Sequence, residues 1–139
     1  MPFSKVYRAT VFAKRKEGVT QEEFSRRFAR HGTLAGPLIK KHNGIAYIQE
    51  SPMSLAKLEL ALTFNQKIGP EMAPFFNFAE ADGINTLIFP TMNDLVGFFK
   101  DPAHEETLNA DVAEFADPTS VTFAVGNENV VIEGGKLLV

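Results

Sequence analysis

The sequence predicts an α+β fold: a four-stranded antiparallel sheet with its helices on one face. Two observations predict it. Short apolar, β-favouring segments alternate with helical ones in the order strand, helix, strand, insertion, strand, helix, strand. In addition, the strands read apolar on both sides, so helices on one face leave the other needing cover.

The first strand is Val6 to Ala13, β-rich with Arg8 as its one charge, and Glu17-Gly18 turns the chain toward a helix. Thr20-Gln21-Glu22-Glu23 is a capping box, in which the Thr20 hydroxyl accepts from the Glu23 amide and the Glu23 side chain reaches back to the Thr20 amide. The helix it starts runs from Gln21 to Lys41, with a bend expected at Gly36-Pro37 because proline removes an amide. Phe24, Phe28, His31 and Ala35 follow at steps of four, three and four, which stacks them on one apolar side. Asn43-Gly44 stops the helix. Ile45 to Gln49 is the second strand, with Ile45, Tyr47 and Gln49 on one face and Ala46 and Ile48 on the other.

Residues 51–82 carry two periodicities. Leu58, Leu60, Leu62 and Phe64 alternate as in a strand, whereas Leu55, Leu58 and Leu62 form a helical stripe, and a short helix is the preferred reading. Beyond Gly69-Pro70, Met72, Phe75, Phe76 and Phe78 crowd around Pro74, as expected of a pocket wall or lid. Gly83 to Phe89 is the third strand, ended by Pro90. Asn93 to Phe99 is helical, with Leu95, Val96, Phe98 and Phe99 expected inward. Asp101-Pro102 then restarts a helix, Asp as cap and Pro at the first position, and places His104, Leu108, Asp111 and Phe115 on one face. Asp117-Pro118 ends it. Ser120 to Val125 is the fourth strand, and Val130 to Ile132 a short tail strand before Gly134-Gly135.

This order is ferredoxin-like, two βαβ-type halves in one sheet. The uncovered apolar face is expected to meet a second copy of the chain, giving a homodimer around a cavity. A length of 139 residues fits a single domain, 1–139. A net charge of −3 without a long basic run argues against nucleic acid as partner. The absence of cysteine removes disulfides, thiolate metal sites and a cysteine nucleophile. No apolar run reaches the roughly 18 residues of a membrane span, and Met1 to Lys5 lacks a signal-peptide profile, so a soluble, cytoplasmic protein is expected.

His31 is the leading functional candidate, because a titratable imidazole occupies a position that the helical stripe assigns to the core. The competing reading is a buried histidine satisfied by its neighbours. His104 shares a face with Leu108 and Phe115 and is the second candidate, with Asp111 on the same stripe placed to support it or to meet a substrate. His42, at the end of the first helix, reads as structural. No metal-ligand spacing, phosphate-binding glycine loop or GxSxG elbow is present. Thirteen Phe with two Tyr and no Trp suit a core and an aromatic-ligand pocket equally well.

Tyr7 to Thr20, followed by Glu22-Glu23-Phe24 and Arg30-His31-Gly32, with Ala81-Asp82-Gly83 and Phe99-Lys100-Asp101-Pro102 further on, resembles the EthD-like dimeric α+β barrel family. The helix-one motif resembles that family's His-Gly-Pro-Leu pattern, with Thr33 in place of the proline, and Glu50-Ser51 stand where one branch has a histidine after strand two's Tyr-x-Gln. The resemblance implies a cofactor-independent barrel acting on small aromatic or polyketide molecules, with a branch that decarboxylates or cyclises them in polyketide biosynthesis. On that reading His31 moves the proton with Tyr47 and His104 as further catalytic groups, and Tyr7 or Tyr47 donates to a developing oxyanion. Arg8 would hold a carboxylate, while Phe12, Phe64, Phe75, Phe76 and Asp111 contact the substrate. Tyr7 and Arg8 face opposite sides of their strand, so at most one enters a pocket. A non-catalytic barrel that carries a hydrophobic aromatic metabolite, and a cofactor-free monooxygenase, are the alternatives.

Overall fold

The computed structural model describes residues 3–52 and 57–139. Strands β1 (Tyr7–Ala13), β2 (Ala46–Glu50), β3 (Gly83–Phe89) and β4 (Thr122–Asn127) form an antiparallel sheet in the order β2-β3-β1-β4. Helices α1 (Gln21–Lys41) and α3 (Met92–Lys100) lie in the two halves of the ferredoxin-like order. A π-helical segment, His104–Asn109, follows α3 and runs into the single turn α4 (Ala110–Val112).

Register decides which side chains meet the helices. Val11 pairs with Asn85, Ala9 with Leu87, Tyr47 with Leu87 and Gln49 with Asn85, so these residues share the helix-facing side. Arg8, Thr10, Phe12, Ile48, Ile84, Thr86 and Ile88 point the other way. On the helix side α1 buries Phe24, Phe28, His31, Ala35, Leu38 and Ile39, as its four-three-four spacing predicts. Phe24, Phe89 and Phe115 are its largest fully buried side chains, each stabilising the fold by roughly 1.5–3 kcal/mol through transfer from water.

Local chemistry fixes the ends. The Thr20 hydroxyl accepts from the Glu23 amide at 3.1 Å, but the Glu23 carboxylate turns to Arg27 at 3.1 Å, so only half of the expected capping box forms. Pro37 lies within α1, and the helix ends where Asn43 takes a positive φ of 63°. Asp82, buried between β1 and β3, accepts from the Arg15 amide at 2.8 Å while its own amide donates to the Ala13 carbonyl. Just past β1 the chain pairs with residues 115–117 through Lys16 and Lys14, which seats Phe115 over the sheet. At the far end Asp101 ties α1 to the π segment, accepting from Lys41 and His42 at 2.8 Å and from the Ala103 amide at 2.9 Å. Hydrogen bonds from Lys41, then His42, hold its carboxyl well below the usual carboxylate range. His42 is thus structural, as its position at the helix end predicts.

Several expectations are corrected. Residues 57–68 form a helix, α2 (Lys57–Ile68), but Leu62 is half exposed, and the better-covered side is Ala61, Asn65 and Ile68. Leu55 and the Leu58 side chain lie outside the described residues. Val96 and Phe99 are exposed, and α3 buries only Leu95 and Phe98, because nine residues present one narrow stripe to the sheet. The restart at Asp101-Pro102 winds as a π-helix rather than an α-helix, which rephases every residue after it. The fourth strand begins two residues late, after a 3-10 turn at Pro118–Ser120. The tail is a hairpin, β5 (Ile132–Glu133) and β6 (Lys136–Leu137), turned by Gly134 and Gly135 with φ of 56° and 77°.

Candidate functional site

Between the sheet and the helices lies an apolar cavity of about 160 Å³. Its floor is Val11, Tyr47, Asn85 and Leu87 from the sheet, and its walls are Phe24, Phe28, His31, Ala35 and Ile39 from α1 with Phe98 from α3. Leu108, Val112 and Phe115 close the far side, and His104 and Asn109 stand beside them. Exposed Phe99, Asn109 and Val121 mark where it meets solvent. The cavity exists because α1 presents an alanine at position 35 and an imidazole at position 31, both smaller than the phenylalanines one and two turns earlier.

His31 is 6% exposed, and its Nδ1 lies 2.8 Å from Oδ2 of Asp111. A carboxylate only accepts, so the geometry assigns a ring proton to Nδ1, donated to Asp111, and leaves Nε2 as the ring nitrogen that the pair does not engage. Phe115 meets the His31 ring edge-on with centroids 5.9 Å apart. This is the arrangement in which a carboxylate orients an imidazole and stabilises the imidazolium when Nε2 takes a proton. The π winding sets Asp111 on the wall nearest α1, so it partners His31 rather than His104.

His104 lies between two aromatic rings, Phe98 and Phe99, each with its centroid 5.0 Å away. Burial, and then the neighbouring His31, push its pKa below the ordinary histidine value, with Glu105 and Asp101 offsetting part of the shift. It is therefore a neutral ring at neutral pH. Tyr47 is the third polar group. Burial pushes its phenol up to about 12, against a smaller opposing effect of the hydrogen bond with Gln49. It stays protonated and can donate. Gln49 Nε2 donates to Tyr47 Oη at 3.2 Å and to the Phe28 carbonyl at 2.7 Å, so the phenol accepts from the amide and keeps its own proton for a ligand.

The glycine after His31 follows from that contact. A Cβ at position 32 would stand 2.7 Å from Gln49 Oε1, so Gly32 makes the room in which Gln49 crosses to α1. Among the described residues no group of three or more His, Cys, Asp or Glu side chains is arranged to hold a metal ion.

The structure brings His31, Tyr47, His104 and Asp111 together and places the other predicted contacts elsewhere. Tyr7 is on the helix side but packs against the core and does not line the cavity. Arg8 and Phe12 point to the opposite sheet face, and Arg8 is paired with Glu128 at 3.2 Å. Phe64, Phe75 and Phe76 also lie away from the cavity. Phe64 packs on Phe76 and Phe78 with centroids 5.1 and 5.6 Å apart and lines a separate open groove with Leu60 and Ile84, while Phe75 is 76% exposed. The phenylalanine-rich connection is thus not a wall of the His31 cavity. Gln49 and Asn85 were not foreseen, although each stands two residues from an inward-facing residue of its own strand, a period-2 signal that marks both.

The EthD domain profile matches residues 16–119, which spans α1, strands β2 and β3, α3 and the π segment. No curated protein sequence matches significantly. In fold the chain is similar to a dimeric protein of ferredoxin-like fold from Bacteroides fragilis, with a TM-score of 0.60 and 13% identity over 91% of this chain and 99% of that one. It is also similar to a hydroxynitrile lyase from Passiflora edulis, with a TM-score of 0.52 and 14% identity over 92% of this chain and 97% of that one.

Proposed function

We propose that this chain, which belongs to the EthD domain family, is a cofactor-independent acid–base enzyme that acts on an aromatic small molecule inside the cavity. The observation that carries this reading is the His31–Asp111 pair, at 2.8 Å, set in an apolar chamber with no hydrogen bond to Nε2 among the described residues. A carboxylate partner alone does not make a histidine functional, since His42 has one in Asp101 at 2.8 Å; what sets His31 apart is that its ring lines the cavity.

The step that fits is proton removal from a carbon or hydroxyl of the bound molecule by His31 Nε2. Asp111 stabilises the imidazolium, and the Tyr47 phenol donates to the oxygen on which negative charge develops. Apolar walls exclude water and strengthen both interactions. An aldol-type cyclisation that closes a single ring of a small polyketide, which needs an acid–base group and an oxyanion donor, is the reaction class favoured. Decarboxylation is less favoured, because Arg8, the expected carboxylate clamp, lies on the other sheet face.

We assign the whole chain, residues 1–139, to one such domain, and its open sheet face to a second copy. Ile48, 52% exposed, lies there with the partly exposed Phe12 and Ile84, and the fold neighbour from Bacteroides fragilis is itself dimeric. No helix among the described residues is long and apolar enough to cross a membrane.

The test is turnover of aromatic polyketide carboxylic acids and their decarboxylated counterparts, followed by mass spectrometry. Wild type should lose water from a substrate, and His31→Ala should bind it but turn it over at least about 100-fold more slowly, with Asp111→Asn slowed in the same direction. Tight binding with unchanged mass in wild type and variants alike would instead make the chain a carrier.

A further inference from the structure

The cavity floor holds a polar group that the acid–base machinery does not use. Asn85 stands on β3, opposite Gln49 and Val11, and lines the cavity. Its Oδ1 is buried and finds no hydrogen-bond donor among the described residues. A buried amide oxygen without a donor costs the fold on the order of 1–3 kcal/mol, and on a residue that lines a cavity it is retained more readily where a ligand supplies the partner.

Size and charge say which ligand. A cavity of about 160 Å³ is close to the roughly 150 Å³ of an apolar void that holds one benzene ring. No Lys or Arg lines it, and Asp111, which stands behind the lining residue His31, is already engaged with that ring. An anionic ligand would be desolvated there without a fixed cation and close to a negative charge. A neutral ring with a hydroxyl meets neither penalty.

We propose that Asn85 is a substrate-orienting residue, accepting a hydrogen bond from the hydroxyl of a neutral, single-ring ligand in the cavity. This rests on the reading of the cavity as the substrate site, and it narrows that reading to a monocyclic phenol-like molecule. Two polar poles then fix the ring. Asn85 holds its hydroxyl from the floor, while His31 and Tyr47 address the reacting atoms.

Binding, measured by calorimetry with phenol, toluene and benzoate as probes, separates the claims because it does not depend on turnover. Wild type should bind phenol several-fold more tightly than toluene and at least tenfold more tightly than benzoate at neutral pH. The isosteric Asn85→Leu should remove the preference for phenol over toluene. Asn85→Thr, too short to reach the same atom, should do likewise and serves if the leucine variant does not fold. An unchanged phenol-to-toluene ratio in either folded variant would overturn the role of Asn85, as would benzoate binding as well as phenol. Val112→Phe, which fills the cavity, then tells the two readings apart: if it abolishes binding the cavity is still the ligand site, and if it does not, or if no probe binds wild type, both readings fall together.

Discussion

At the scale of the residue, Tyr47 shows how burial is turned to use. A phenol in water ionises near pH 10, and burial moves Tyr47 to about 12, so it remains a hydrogen-bond donor throughout the physiological range. The unfolded chain loses the Tyr47 proton first as pH rises. The stability contribution of keeping this phenol neutral is therefore complete below about pH 10 and is lost as pH climbs through 12, by about 3 kcal/mol in all. Ultraviolet titration of Tyr7→Phe, in which Tyr47 is the only tyrosine left, should show phenolate forming near pH 12. Ionisation near pH 10 would mean that the ring is open to water and unfit as a buried donor. His31 was legible in sequence because an imidazole on an apolar stripe is conspicuous against its neighbours. The partner assigned to Asp111 was not. It depends on the phase of a π segment, and sequence periodicity assumes one winding throughout.

At the scale of the element, β3 carries a steric constraint set by two aromatic rings. A Cβ at Gly83 would lie 2.9 Å from ring atoms of both Phe24 and Phe28, which are buried and locked against Phe115. Those rings cannot swing away. Gly83→Ala should therefore destabilise the fold by about 1–3 kcal/mol, read as a lower denaturation midpoint at unchanged slope. A change under about 0.5 kcal/mol would show that the rings relax into the cavity. The strand's bounds, Gly83 to Phe89, were readable from the sequence because Gly and Pro90 punctuate a continuous apolar run. The insertion was less readable. Leu60, Leu62 and Phe64 are all exposed in α2, so its apolar residues answer to a surface outside this chain's own core, and a pattern shaped by such a surface shows no clean helical stripe.

At the scale of the molecule, the sheet does two things at once through β2. Tyr47 and Gln49 face the cavity, while Ile48 between them faces the uncovered side. A partner seated on Ile48 would restrain the strand that holds the phenol and its amide, so assembly and site geometry are linked by alternation alone. An isologous dimer places the same apolar patch against itself, and a single buried charge there is repeated across the axis, so one substitution acts twice. Sedimentation should give twice the chain mass for wild type and the chain mass for Ile48→Glu, with circular dichroism unchanged because the residue is outside the core. The released β2 should then hold Tyr47 less firmly and lower turnover without removing His31 or Asp111. A wild-type monomer would sink the assignment of the open face. A dimer that survives Ile48→Glu would move the interface to the exposed aromatic groove beside α2, which β2 meets only at Glu50.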